Sequence, residues 1–156
     1  MPVSTTQQSS SSSEQPIAFI VYGEPVAQGR PRMSMIAGRP VVYDPKPSRD
    51  FKRDVKAVAQ SHVPITLLSC PLIMDIKIYR PIPKSFSKRK HAAALAGTLR
   101  PITKPDLKNY IAGIEDALEG VLFVNDSQII GYGDSGKWYG DPPRIEVVVR
   151  PSPGSA

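Results

Sequence analysis

The alternation of apolar and polar residues from position 72 to 79 constrains the fold more than any other feature of the chain. Its apolar members are Leu72, Met74, Ile76 and Ile78. A period of two is typical of a β-strand with one covered face, and the prolines at positions 81 and 83 end the pattern. We therefore expect a sheet with another layer of structure packed on that face.

The residues after Ser48 predict a helix that packs one of its faces on this sheet. Phe51, Val55 and Val58 recur at helical spacing, while basic residues occupy other positions. Ser48 is a suitable N-cap residue, and the pattern ends near His62. The sequence therefore predicts a first main helix from Ser48 to about His62.

A second main helix is predicted by an apolar stripe just before Gly120. The stripe consists of Leu107, Tyr110, Ile111, Ile114 and Leu118. Its spacing places these side chains on one face of a helix, with Asp106 as the expected N-cap and Gly120 as the expected C-terminal cap.

Shorter patterns complete a mixed α/β (α+β) domain. Apolar runs predict strands at residues 17–22, 41–43, 128–132 and 144–150. Residues 88–95 fit a short helix, and residues 134–143 fit a loop or hairpin connection in which Trp138 packs on the core rather than stacking on bases. The expected architecture is a single compact domain with a mixed sheet and two main helices packed on it.

Composition places this domain between two tails. Residues 1–15 are rich in Ser and Gln and predict a disordered tail, residues 16–151 form the expected domain, and residues 152–156 a flexible C-terminal tail. Cys70 is the only cysteine, which excludes an intrachain disulfide. Because no long apolar run or signal-peptide core is present, we expect a cytoplasmic protein with no membrane partner.

Charge is distributed unevenly along this basic chain, whose formal charge is +6. Between residues 76 and 105 there are eight Lys or Arg residues and no Asp or Glu, whereas residues 106–126 contain five acidic residues and one Lys. The basic stretch favours an anionic partner such as nucleic acid. The run at residues 88–90, taken alone, is more typical of an ordinary solvated surface.

Asp106 and Asp126 are candidate metal ligands at the two ends of the second helix and its following loop. Carboxylates held close together usually need a cation or a shared proton. Each residue also has a structural explanation, Asp106 as an N-cap and Asp126 as part of a turn. Arg30 and Arg32 lie on a Gly/Pro-rich loop, where they either reach phosphates or are simply exposed.

Several short motifs, taken in order, resemble the RusA family of Holliday junction resolvases. They are Gly23-Glu24-Pro25-Val26, Arg30-Pro31-Arg32, Tyr43-Asp44-Pro45, Pro81-Ile82-Pro83-Lys84-Ser85, Lys104-Pro105-Asp106, Asp116-Ala117-Leu118, Asn125-Asp126-Ser127-Gln128-Ile129 and Lys137-Trp138-Tyr139. Each motif is short, but their joint order and spacing are specific. The resemblance covers nearly everything after the Ser-rich tail.

This resemblance implies a homodimeric crossover junction endodeoxyribonuclease that resolves four-way junction DNA in recombination and repair. The implied cofactor is Mg²⁺, with Mn²⁺ as a substitute, and no small-molecule cofactor is expected. The implied metal ligands are Asp106 and Asp126, with Asp116 as a candidate third. The candidate DNA contacts are Arg30, Arg32, Lys84, Lys88, Arg89, Lys90, Lys104, Asn109 and Lys137.

Two positions depart from the family signature, which reads Lys-Pro-Asp-x-Asp-Asn and continues with a Lys three residues after the Asn. Lys108 replaces the second carboxylate and Ala112 replaces the lysine. Outside this signature, Asn125 stands where the first acid of an acidic pair is common. An ammonium in place of a carboxylate removes an oxygen ligand and adds like charge near a cation. Both of these effects of Lys108 oppose Mg²⁺ binding.

Three consequences of these departures remain open at the level of sequence. Asp116, or alternatively Glu115, completes a remodelled metal site with Asp106 and Asp126. Alternatively, Lys108 is a catalytic residue that supplies positive charge at the phosphate. In the third case the protein binds junctions without cutting them.

Overall fold

A computed structural model describes residues 15–154, which contain both helices and strands. In order they are β1 (Ile17–Tyr22), β2 (Arg32–Ile36), β3 (Arg39–Tyr43), α1 (Lys46–Gln60), β4 (Leu72–Arg80), α2 (Lys88–Ala96), α3 (Leu107–Leu118), β5 (Ile129–Tyr132), β6 (Gly136–Tyr139) and β7 (Arg144–Pro151). The predicted N-terminal tail lies almost wholly outside the described residues, and the C-terminal tail lies partly outside them.

Five strands form one mixed sheet, and a mixed sheet is what the sequence predicts. The order β1-β7-β4-β5 places β4 near the centre, with β7 antiparallel and β5 parallel to it. β6 also pairs with β4 in parallel. The segment expected to be a loop or hairpin connection thus contains a strand of the main sheet. The sequence does not reveal this strand, because it is only four residues long and its partner is distant in sequence.

The core lies between one face of this sheet and the two main helices. The alternating apolar residues of β4 are fully buried, together with Ile145, Val147 and Val149 of β7. Phe51 and Val55 of α1 and Ile114 of α3 join the same cluster. The predicted α+β fold is therefore confirmed.

Ser48 does not cap α1, because the helix begins two residues earlier at Lys46 and its N-cap is Pro45. The Ser48 side chain is instead buried and accepts a hydrogen bond from the Gly29 N–H at 3.0 Å. It also donates to the Ala27 carbonyl at 3.2 Å. Ser48 therefore fixes the loop before β2 to the first turn of α1.

Trp138 lies outside the main core and is only half-buried, on the sheet beside α2. Its ring stacks on Tyr79 with centroids 5.8 Å apart, and the Arg100 guanidinium lies 4.1 Å from the ring centroid. Trp138 therefore packs in this smaller aromatic and cationic cluster, and not in the main core as predicted. The reason is that β6 pairs with β4 in a register that places Trp138 beside Tyr79.

Candidate nucleic-acid and metal site

The N-terminal end of α3 forms one wall of an open cleft of about 760 Å³. Asp106, Lys108, Asn109 and Ala112 line this wall, together with Lys104 and Pro105 from the preceding loop. Residues 27–31 form the opposite wall and contribute Arg30. The cleft thus brings together two parts of the chain that the sequence singles out separately.

Hydrogen bonds hold the loop at residues 27–31 against both main helices. The Gln28 N–H donates to the Asn109 carbonyl at 3.0 Å, which ties the loop to α3. The contact of Gly29 with Ser48 ties it to α1. These two hydrogen bonds are made by the residues just before Arg30 and therefore position the Arg30 backbone.

The loop before α3 is held by two cationic side chains. Lys137 donates from its Nζ to the carbonyls of Thr103 and Pro105, at 3.0 and 3.1 Å. Arg80 donates to the Thr103 carbonyl at 3.1 Å. Lys137, predicted as a DNA contact, is placed where it positions the loop that leads to Asp106.

One carboxylate faces three cationic residues in this cleft. Asp106 occupies the N-cap position of α3, but its side chain makes no capping hydrogen bond. Arg30, Lys104 and Lys108 share the cleft with it, and all four residues are exposed. The balance of charge in the cleft is therefore positive and suited to an anion such as phosphate.

Asp126 is tied to the other end of α3. It begins a single 3₁₀ turn, and its backbone N–H donates to the Glu119 side chain at 3.3 Å. Asn125, which stands where an acid is common in the family, caps this turn by accepting from the Ser127 N–H at 2.8 Å. Asn125 therefore has a structural role here, and Asp126 is not among the residues that line the cleft.

The charge of Asp126 acts mainly on Glu115 and Tyr132. Burial raises the pKa of Glu115, a hydrogen bond donated by the Tyr132 hydroxyl lowers it, and the charge of Asp126 raises it again. Burial and the two neighbouring carboxylates also raise the pKa of Tyr132 above its usual value. This acidic group therefore lies beside Asp126 rather than Asp106.

Asp116, the candidate third metal ligand, forms an ion pair with Lys52. The Lys52 Nζ lies 2.6 Å from Asp116 and 2.7 Å from Asp44. Burial of the ammonium lowers the pKa of Lys52, but the hydrogen bonds that the ammonium donates to the two carboxylates, with their charges, outweigh burial and raise the pKa overall. The carboxylate that would replace the missing ligand thus already shares the ammonium of Lys52 with Asp44.

The residues present do not fit a resident Mg²⁺ ion. In the described part of the chain, no three His, Cys, Asp or Glu side chains converge closely enough to hold a metal ion. Mg²⁺ needs oxygen ligands in octahedral geometry, whereas the cleft offers the carboxylate of Asp106 and the Asn109 amide among three cationic side chains. The structure thus separates Asp106, Asp116 and Asp126 into three different environments.

The other predicted DNA contacts lie on exposed surface outside the cleft. Arg32 is on β2, and Lys84 precedes α2. Lys88, Arg89 and Lys90 form the first turn of α2, which Ser87 caps by accepting from the Lys90 N–H at 3.3 Å. Their exposure is compatible with phosphate contacts, which remain a prediction.

Sequence reasoning missed Gln28, Lys52 and Tyr132. Gln28 lines the cleft, and its side-chain oxygen is buried without a hydrogen-bond partner. Lys52 and Tyr132 contact acidic residues of α3 that lie 64 and 17 positions away in sequence. No local periodicity signals such contacts, because they are created by the packing of α1 and the sheet on α3.

Comparison with known proteins points to one family. The family model described as "Endodeoxyribonuclease RusA" matches residues 22–150. The "Uncharacterized protein YqaN" of Bacillus subtilis (strain 168) is 48% identical over 136 residues, covering 86% of this chain and 95% of that protein. Within residues 15–154, no helix has the length and apolar character needed to cross a membrane. The chain belongs to the RusA family of endodeoxyribonucleases.

Proposed function

We propose that this chain binds four-way DNA junctions and that its cleavage of them is impaired. Membership of the family indicates endodeoxyribonuclease chemistry on Holliday junctions, and nucleases of this kind typically use a divalent metal. The observation that carries the proposal is the cleft at the N-terminal end of α3, where Lys108, Lys104 and Arg30 surround the single carboxylate of Asp106.

Binding is supported by the number and exposure of cationic side chains. The cleft cations and the first turn of α2 are solvent-accessible, and the whole chain carries a formal charge of +6. Phosphate contacts of this type supply most of the affinity of proteins for DNA and release counterions. A homodimer with two-fold symmetry would present two such clefts to opposite strands of one junction.

Impaired cleavage follows from the charge at position 108. A bound metal would orient and acidify the attacking water and offset charge on the leaving oxygen. An ammonium in the cleft repels that metal while it attracts the DNA phosphate. We therefore infer that Lys108 retains the substrate phosphate in the cleft but works against hydrolysis.

Cleavage of a labelled four-way junction tests this proposal. The purified protein is incubated with the junction in Mg²⁺ or Mn²⁺, beside a mobility assay in metal-free buffer. We expect binding without metal and little product in either metal. The variants Lys108→Asp and Lys108→Asp/Ala112→Lys should gain symmetric nicks by about 10²-fold or more, the scale of a single catalytic group.

The competing function is an active resolvase, which the retention of Asp106 and Asp126 favours. It predicts symmetric nicks from the unmodified protein that vanish in Asp126→Asn. That result would remove the claim of impairment. A failure of the unmodified protein to bind any junction at low salt would instead remove the whole proposal.

A further inference from the structure

The hairpin formed by β2 and β3 has one face made wholly of apolar side chains. The two strands form a sheet of their own, in which Met33 pairs with Val42 and Met35 pairs with Pro40. Paired residues of antiparallel strands lie on the same face. Met33, Met35 and Val42 are 71%, 65% and 65% exposed, so this face has no partner within the described residues.

The opposite face of the hairpin is mixed, with two arginines among polar and apolar side chains. Arg32 pairs with Tyr43 at one end, and Ile36 pairs with Arg39 at the other. Between Pro25 and Tyr43 the sequence has three arginines and no Asp or Glu. The charges of the hairpin therefore lie on the face opposite the two methionines, and all of them are positive.

Both ends of the hairpin are fixed to the rest of the domain. The strand β2 follows directly from the loop at residues 27–31, which forms a wall of the cleft and is held by Ser48. The strand β3 is followed by Asp44, which is paired with Lys52 at 2.7 Å. The ribbon therefore projects from the edge of the cleft with a defined base.

The apolar face is too small to hold a stable protein dimer by itself. Two strands of five residues span roughly 17 by 10 Å, or on the order of 170 Å². A stable protein interface buries about 800 Å² on each partner. A ribbon of this size does fit a DNA groove, and Met and Pro, which this face carries, are residues that proteins insert between base steps.

We propose that the β2–β3 hairpin packs its apolar face on the exposed base pairs at the branch point of a bound junction. This inference rests on the proposed function, since it names the part of the junction that the hairpin recognises. Flexible thioethers adapt to the irregular surface of unstacked bases. The hairpin thereby distinguishes a branched DNA from a continuous duplex.

Junctions carrying the fluorescent base 2-aminopurine, either at the branch point or in the middle of an arm, test the inference. The unmodified protein should raise the branch-point signal and leave the arm signal unchanged. Met33→Gln/Met35→Gln should abolish this rise and reduce the preference for the junction over a duplex of equal length by about tenfold. Val63→Gln/Ile65→Gln, which changes two other exposed apolar residues, is the matched control and should behave like the unmodified protein.

The possible results separate the inference from the function on which it rests. A branch-point signal that persists in Met33→Gln/Met35→Gln, with junction binding intact, overturns the inference alone. A change from dimer to monomer in that variant, measured by analytical ultracentrifugation, shows that a second copy covers this face and likewise overturns it. If the unmodified protein binds no junction, the proposed function and the inference both fail.

Discussion

The ammonium group of Lys52 links three parts of the fold. It contacts Asp44 at the end of the hairpin and Asp116 on α3, while its own backbone belongs to α1. Its side chain is 13% exposed, which limits competition from water. An ion pair of this kind contributes more to stability than one on open surface, because the charge is already partly desolvated and has two partners.

Lys52→Met should therefore lower the free energy of unfolding at pH 7 by about 1–2 kcal/mol. The folded-state pKa of Lys52 is raised, so the stabilisation is fully present below the unfolded pKa and is lost as pH rises through the folded pKa. Urea unfolding at neutral pH and at a pH above the lysine pKa measures both effects. The difference in unfolding free energy between the unmodified protein and Lys52→Met should shrink at the higher pH.

Lys46→Met provides the control for this prediction. Lys46 also pairs with a carboxylate, that of Asp50 at 2.6 Å, but its side chain is 76% exposed. Its replacement should change the urea midpoint much less than that of Lys52. Equal midpoints for the two variants would show that the Lys52 network contributes no more than a surface ion pair.

At the scale of the element, the loop at residues 27–31 depends on one buried hydroxyl. Ser48→Ala leaves the Gly29 N–H and the Ala27 carbonyl without their partner and should cost about 1–3 kcal/mol of stability. We also expect faster hydrogen exchange at Gly29 and weaker junction binding, because Arg30 loses its fixed position. Urea unfolding, mass spectrometry of deuterated protein and a mobility assay with the junction measure these three effects.

Ser87→Ala is the corresponding control, since Ser87 caps the exposed helix α2. It should destabilise the protein by about 1 kcal/mol, without changing exchange at Gly29. If both serine variants leave exchange at Gly29 unchanged, Ser48 does not hold the loop.

Local periodicity predicts the elements of this protein better than it predicts their partners. The alternation in β4 and the apolar stripe of α3 were sufficient to predict these two elements, because each pattern lies within one segment and matches the buried residues. The short strand β6 has no such pattern, and its parallel pairing with β4 depends on residues nearly 60 positions away.

In the candidate site, too, local sequence predicts single residues better than it predicts their partners. The motif around Asp106 identifies one wall of the cleft, whereas Arg30 and Gln28 reach it only through the packing of a distant loop on α3. Lys52 pairs with Asp116 through a contact across 64 positions. Sequence therefore indicates the chemistry of single residues, and the tertiary fold decides which of them meet.

At the scale of the whole molecule, positive charge lies on several separate surfaces: the cleft, the hairpin and α2. A junction presents phosphates over a wide area, so contributions from separate surfaces add to the dependence of affinity on salt. Net charge alone would also attract DNA, without any defined footprint. The two explanations differ in one respect. Only specific phosphate contacts make the change in salt dependence depend on the position of the charge that is removed.

Lys88→Gln/Arg89→Gln/Lys90→Gln removes the three charges of the first turn of α2. If each contacts a phosphate, the slope of log affinity against log salt should become less steep by about 2.7, or 0.9 for each contact. Lys46→Gln/Arg53→Gln/Lys56→Gln removes the same number of charges from the exposed face of α1 and should leave the slope nearly unchanged. Titrations of the junction at several salt concentrations measure both slopes. Equal changes in the two triple variants would mean that α2 makes no specific contact and that the protein is attracted to DNA by its overall charge.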